Sequence, residues 1–115
     1  MNEAEEIQVE SETVGDALVA RPVGEIDLSR APSLRLKLAE LQKQRPAKLI
    51  IDLEQVPYMD SSGVATLVEA MQTARRANTK LVLCAMQEKV RSIFEIARLD
   101  MVFTIVVSQE EAVTA

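Results

Sequence analysis

The fold turns on the stretch Leu49-Ile50-Ile51-Asp52-Leu53, the loop Glu54 to Asp60, and Ser61-Ser62-Gly63-Val64 with apolar positions at Leu67, Val68 and Met71. The first five residues form a short, nearly continuous apolar run with β-branched members, as expected of a strand covered on both faces. Val64, Leu67, Val68 and Met71 then follow the i, i+3, i+4, i+7 spacing of a helix with one buried stripe. A doubly buried strand that passes directly into an amphipathic helix implies a sheet with helices packed on it.

The same grammar extends in both directions. Upstream, Leu34, Leu38 and Leu41 mark a helix from about Ala31 to Gln44, with Pro32 in its first turn and Arg45-Pro46 as its stop. Before it, Ile7 to Thr13 alternate apolar and polar residues, Val14-Gly15-Asp16 turn the chain, and Ala17 to Val23 return. Gly24-Glu25-Ile26-Asp27 leads out of that hairpin. Downstream, Asn78-Thr79 precedes a strand at Leu81 to Ala85. Val90, Ile93, Phe94 and Ala97 give a third helix, and Val102 to Val107 a last strand. Ser108 with Glu111 has the form of a capping box that opens a short C-terminal helix. The predicted order is β-β-α-β-α-β-α-β-α. It belongs to the α/β class, as one domain whose mixed sheet carries an N-terminal antiparallel hairpin and has helices packed on it.

Composition narrows the function. Hydrophobic residues make up 48% of the 115, aromatics only 3%, and Trp is absent, so the core is aliphatic. Eighteen acidic against 13 basic residues give a net charge of -5. That balance speaks against nucleic acid as a ligand and, less strongly, against an anionic membrane surface. No apolar stretch reaches the roughly 20 residues of a spanning helix. Glu3, Glu5 and Glu6 stand where a signal peptide is basic, so the expected address is cytoplasmic, without direct membrane insertion. The chain has no His, which removes the commonest general base and metal ligand. Its single Cys84 lies in the apolar run Leu81 to Ala85 and reads as a buried small hydrophobe. With three Gly and no phosphate-cradling loop, neither kinase nor ATPase activity is expected. The expectation is a binding protein, not an enzyme, with no cofactor and no metal.

Tyr58-Met59-Asp60-Ser61-Ser62-Gly63 lies where a strand end meets a helix start, the usual position of functional groups in α/β sheets. Local chemistry leaves two readings open. Asp60 or Ser61 caps the helix while Gly63 lets it pack closely; or a serine hydroxyl accepts a phosphoryl group, the new anion being tolerated by free N–H groups and the helix dipole. Asp52 either lines this site or ends its strand in water. Met59, flanking the loop, is better placed than the core-stripe Met71 to meet a partner. Arg75-Arg76 complement a helix C-terminus. Arg91 and Arg98, seven apart, share a solvated side of the third helix.

Taken together, Gly24-Glu25-Ile26-Asp27, Leu49 to Leu53, Met59-Asp60-Ser61-Ser62-Gly63-Val64-Ala65 and the helix Val90 to Leu99 resemble the STAS domain of bacterial anti-sigma-factor antagonists. The likeness runs from about Ile7 to Ala112, within a single domain spanning 1–115. It departs from the family at Gly63-Val64-Ala65, where many antagonists carry Gly-Leu-Gly. The resemblance implies an antagonist that binds an anti-sigma factor, a GHKL-type serine kinase, and loses that binding when phosphorylated. By position Ser61 is the phosphorylated residue, and a PP2C-type phosphatase restores it. Asp27, Asp60, Ser62 and Gly63 surround the phosphosite, and Met59 and Val64 contribute to the partner interface. Other STAS domains serve as accessory subunits on the ATPase of ABC transporters, which is the alternative the resemblance leaves open.

Overall fold

A computed structural model describes residues 5–115. Strands β1 (Gln8–Val14) and β2 (Ala17–Val23) are followed by α1 (Ala31–Gln42), β3 (Lys48–Asp52), α2 (Ser61–Arg76) and β4 (Lys80–Cys84). Then come α3 (Glu88–Ile96), a 3-10 turn (Leu99–Met101), β5 (Thr104–Val106) and α4 (Gln109–Thr114). The five strands lie in sequence order, with β1 antiparallel to β2 and every later neighbour parallel. The hairpin, the parallel crossovers and the element order all follow the sequence reading.

Alternation within each strand sorts the core into two layers. Leu49, Ile51 and Leu53 face α1, α2 and α3, where they join Leu34, Leu38, Leu67, Met71, Val90 and Phe94 in the larger cluster. Ile50 points to the other side, where Val19, Val82, Cys84 and Ala112 form a smaller cluster under α4. The continuous apolar run at Leu49 to Leu53 is therefore explained by burial on both faces. A lysine fastens α4 to that side: Lys48 Nζ donates to the carbonyls of Ala112 (2.9 Å) and Val113 (2.8 Å). At its other end Ser108 Oγ accepts from Glu111 N at 3.1 Å, so the expected cap is present.

Several boundaries shift for identifiable reasons. Helix α1 ends at Gln42 because the next residues form a turn in which Arg45 takes φ 51°. Helix α2 ends in a Schellman arrangement, with Thr79 N bonded to Ala74 O (2.8 Å) and Asn78 N to Arg75 O (3.3 Å). Asn78 supplies the left-handed residue, at φ 58°. Strand β5 is three residues long, not six, because the 3-10 turn consumes Leu99–Met101 and Phe103 N bonds to Leu99 O at 2.9 Å.

Asp52 neither reaches the strand-end site nor ends in water. It is buried at the end of β3, pairs in register with Cys84, and accepts from Glu54 N at 3.0 Å. Cys84 is itself fully buried, and burial, reinforced by the nearby Asp52 and Glu54 charges, pushes its thiol up to about 12. It is the inert small hydrophobe its sequence context implied. No helix among the described residues is long and apolar enough to cross a membrane.

In a core this poor in aromatics, Phe94 and Phe103 meet edge to face with ring centroids 5.6 Å apart. Phe94→Ala should cost about 3–5 kcal/mol of unfolding free energy by urea denaturation, whereas truncating the exposed Ile96 on the same helix should cost under about 0.5 kcal/mol.

Candidate functional site

The site is assembled by two segments that leave the sheet side by side. Beyond β2, Gly24 N donates to Gln55 O (2.9 Å) and Ile26 N to Tyr58 O (3.0 Å), and Asp60 N returns a bond to Ile26 O (3.1 Å). These bonds form a one-residue parallel bridge between Ile26 and Met59. Strand-like alternation follows at that bridge. Ile26 and Met59 point inward and are fully buried, while Asp27 and Asp60, one residue on, are half-exposed on the same rim.

Gly63 is the reason the bridge can lie this close to α2. A Cβ at position 63 would stand 2.8 Å from Ile26 Cγ2 and 3.2 Å from Ile26 O, and nearer still to Met59 Cγ. The close packing inferred for this glycine is thus specific: it makes room for the two bridged residues.

Asp60 is the N-cap of α2. Its Oδ1 accepts from Ser62 N (2.9 Å) and Gly63 N (3.3 Å), and the Ser62 hydroxyl donates to the same oxygen. These bonds favour the ionised form. The Ser62 hydroxyl leads in holding the Asp60 carboxyl below the usual carboxylate range, partial burial opposes it, and the Gly63 and Ser62 N–H groups add to the lowering. Asp27 is treated alike: Ser29 Oγ (2.7 Å), Ser29 N (3.0 Å) and Arg30 N (3.2 Å) all donate to its Oδ1. The Ser29 hydroxyl bond is the main cause of its lowered pKa. Both carboxylates are therefore fixed, charged and spoken for.

The two serines differ. Ser62 is half-buried and gives its hydroxyl to Asp60. Ser61, the first residue of α2, is exposed, and among the described residues its hydroxyl takes part in no side-chain hydrogen bond. The helix start also differs from expectation in one respect. The N–H groups of Ser62 and Gly63, expected to be free for an incoming anion, are already held by Asp60.

Met59 needs a correction. Expected at a partner interface, it is a core residue with 0% exposure, because the bridge to Ile26 turns it inward beneath α2. Val64 is partly buried against the larger cluster and presents only part of its side chain. The apolar groups that do face outward here are Tyr58 (44% exposed) and Leu28 (75%). Neither was singled out from sequence. For Tyr58 the signal lay in period-two alternation about the buried Met59; Leu28 stands out because the chain turns after Asp27, whose carbonyl accepts from Arg30 N at 3.1 Å.

A family model described as the STAS domain matches residues 8–112. An anti-sigma-B factor antagonist of Listeria monocytogenes is 37% identical over 76 residues, which span 66% of this chain and 67% of the relative. A solved anti-sigma factor antagonist from Mycobacterium paratuberculosis shares the fold with a TM-score of 0.87 at 24% identity, over 94% of this chain and 92% of the other. The Bacillus cell fate determinant SpoIIAA, solved in its phosphorylated form, matches with a TM-score of 0.69 at 24% identity, over 94% and 96%.

Two outcomes test the geometry. Gly63→Ala should lose about 1–3 kcal/mol of stability by denaturant titration, since a methyl must displace Ile26 and Met59. Asp60→Ala should lose about 1 kcal/mol at neutral pH as a missing N-cap. Because the folded pKa of Asp60 lies below 3.8, its stabilisation is complete above that value and is lost as pH falls further. The gap between wild type and Asp60→Ala should therefore close below pH 3.8, as followed by denaturation at a series of pH values.

Proposed function

The chain belongs to the STAS family, and on that premise we propose that it is an anti-sigma-factor antagonist switched off by phosphorylation of Ser61. The observation that carries the choice of residue is the exposed, uncommitted hydroxyl of Ser61 beside a Ser62 hydroxyl held by Asp60. The relative named an anti-sigma-B factor antagonist and the structural neighbour solved in a phosphorylated form support the same reading.

On this reading the unmodified protein binds an anti-sigma factor, a GHKL-type serine kinase, through the rim around Ser61. Asp27 and Asp60 already place two negative charges there, and the phosphoryl group adds about -1.5 to -2 more. With the Ser62 and Gly63 N–H groups occupied by Asp60, little of that charge is neutralised from within the chain. At about 5 Å from a partner carboxylate, and an effective dielectric of about 20–40, each added unit charge costs roughly 1.7–3.3 kcal/mol. Since about 1.4 kcal/mol is tenfold in affinity, one modification releases the partner without refolding. A PP2C-type phosphatase reverses it. The protein itself contributes a surface and an acceptor hydroxyl, and no catalysis.

Incubation with the cognate kinase and ATP should add one phosphate, mapped to Ser61 by mass spectrometry. Ser61→Ala should take up none and still bind the kinase, while Ser61→Glu should bind at least about tenfold more weakly by calorimetry. Modification of Ser61→Ala at the wild-type rate would move the switch to another residue and overturn the assignment.

A further inference from the structure

The two ends of the sheet differ in charge in a way that the total of -5 conceals. Ser61 opens α2 at the C-terminal end of the parallel strands, whereas Arg75 and Arg76 close the same helix and Lys80 begins β4 at the other end. At 1.5 Å per residue, about 20 Å of helix separates Ser61 from Arg75.

At that far end, a groove of about 200 Å³ opens between the last turns of α2 and the starts of β4 and β5. Met71, Leu81, Val102 and Phe103 line it, together with Arg75 and Lys80. Arg75 and Lys80 are exposed, and neither makes a salt bridge among the described residues. A groove of mixed lining, with apolar walls beside two cations that form no salt bridge among the described residues, suits an apolar side chain carried between carboxylates.

The complement lies on the opposite end of the same chain. Leu28 and Tyr58 stand out from the surface there. Asp27 directly precedes the first, with Glu25 two residues before that, and Glu54 and Asp60 lie within four residues of the second. Arg30, the cation nearest in sequence to Leu28, is engaged by Glu5 at 3.5 Å. We infer that the Leu28–Tyr58 knob of one copy docks in the Arg75–Lys80 groove of a second copy, head to tail.

The two surfaces are different, so the contact is heterologous and leaves one free knob and one free groove on every pair. Association accordingly grows with concentration instead of closing at a dimer. A groove that admits one or two side chains buries far less than a stable interface, which makes the contact weak and salt-sensitive. It also covers the rim that carries Ser61. That last consequence, a reserve of copies withheld from the kinase, rests on the function proposed above; the association itself does not.

Sedimentation velocity of the unmodified chain, from about 10 µM to about 1 mM, tests it without any kinase. In about 0.05 M NaCl the weight-average mass should rise with concentration, and in about 0.5 M NaCl it should fall back towards the monomer. The double variant Arg75→Glu/Lys80→Glu and the double variant Glu25→Lys/Glu54→Lys should each weaken association about tenfold or more. All four positions are exposed, and unchanged circular dichroism confirms that the variants fold. Mixing the two variants should restore association, because each offers the other an oppositely charged surface. A monomer at every concentration, a dimer that does not grow, or association indifferent to both charge reversals would overturn the inference. So would a monomeric chain whose groove takes an acidic, apolar peptide, which would assign the groove to a different protein.

Discussion

The bridge between Ile26 and Met59 is the constraint on which the end of this molecule that carries Asp27, Asp60 and Ser61 depends. Three backbone hydrogen bonds tie the exit of β2 to the loop that follows β3, and the absence of a side chain at Gly63 lets the start of α2 lie on top of them. A one-residue parallel pairing is weak by itself. Here it is enforced from below by burial of Ile26 and Met59 and from above by the helix cap, so backbone, core and cap favour the same geometry. From that agreement follow the positions of Asp27, Asp60 and Ser61 on one rim.

On the function proposed for it, that rim would allow a phosphorylation switch without moving parts. Helix starts commonly welcome anions because their N–H groups are unpaired. In this chain Asp60 has already taken the role of resident anion, drawing on the Ser62 hydroxyl as well as on two N–H groups. A phosphate on the neighbouring Ser61 is an additional charge beside a satisfied one, and its effect is directed outward at whatever binds the rim. The same arrangement separates the two serines, since the hydroxyl that holds the cap is engaged and the hydroxyl before it is not.

The charge distribution follows from the topology. In a parallel sheet every helix starts at one end and finishes at the other, and in α2 each end carries the residues that suit it: Asp60 at the start, Arg75 and Arg76 at the close. A net charge summed over the sequence averages these ends away. The polarity reappears only when the strands align the helices, and it places apolar protrusions near carboxylates at one end and a groove of mixed lining beside Arg75 and Lys80 at the other.

Much of this was legible in the chain itself. Period-two alternation and a turn at Gly15 marked the hairpin, the doubly buried run at Leu49 to Leu53 marked the central strand, and the Leu34, Leu38 stripe marked α1, because local periodicity is imposed by the layer each element packs against. The α/β class, the element order and the STAS resemblance needed nothing more. Met59 shows the limit. Sequence placed it in a loop beside the site and assigned it to the surface, and only the pairing with Ile26, 33 positions away, turned it into the core and left Tyr58 exposed. The commitment of Asp60 to the helix start, the burial of Asp52 against Cys84 and the groove beside Arg75 were decided in the same way. Spacing along a chain fixes which face of an element is apolar; which groups meet across that face is fixed by contacts between segments distant in sequence, and those exist only once the sheet has formed.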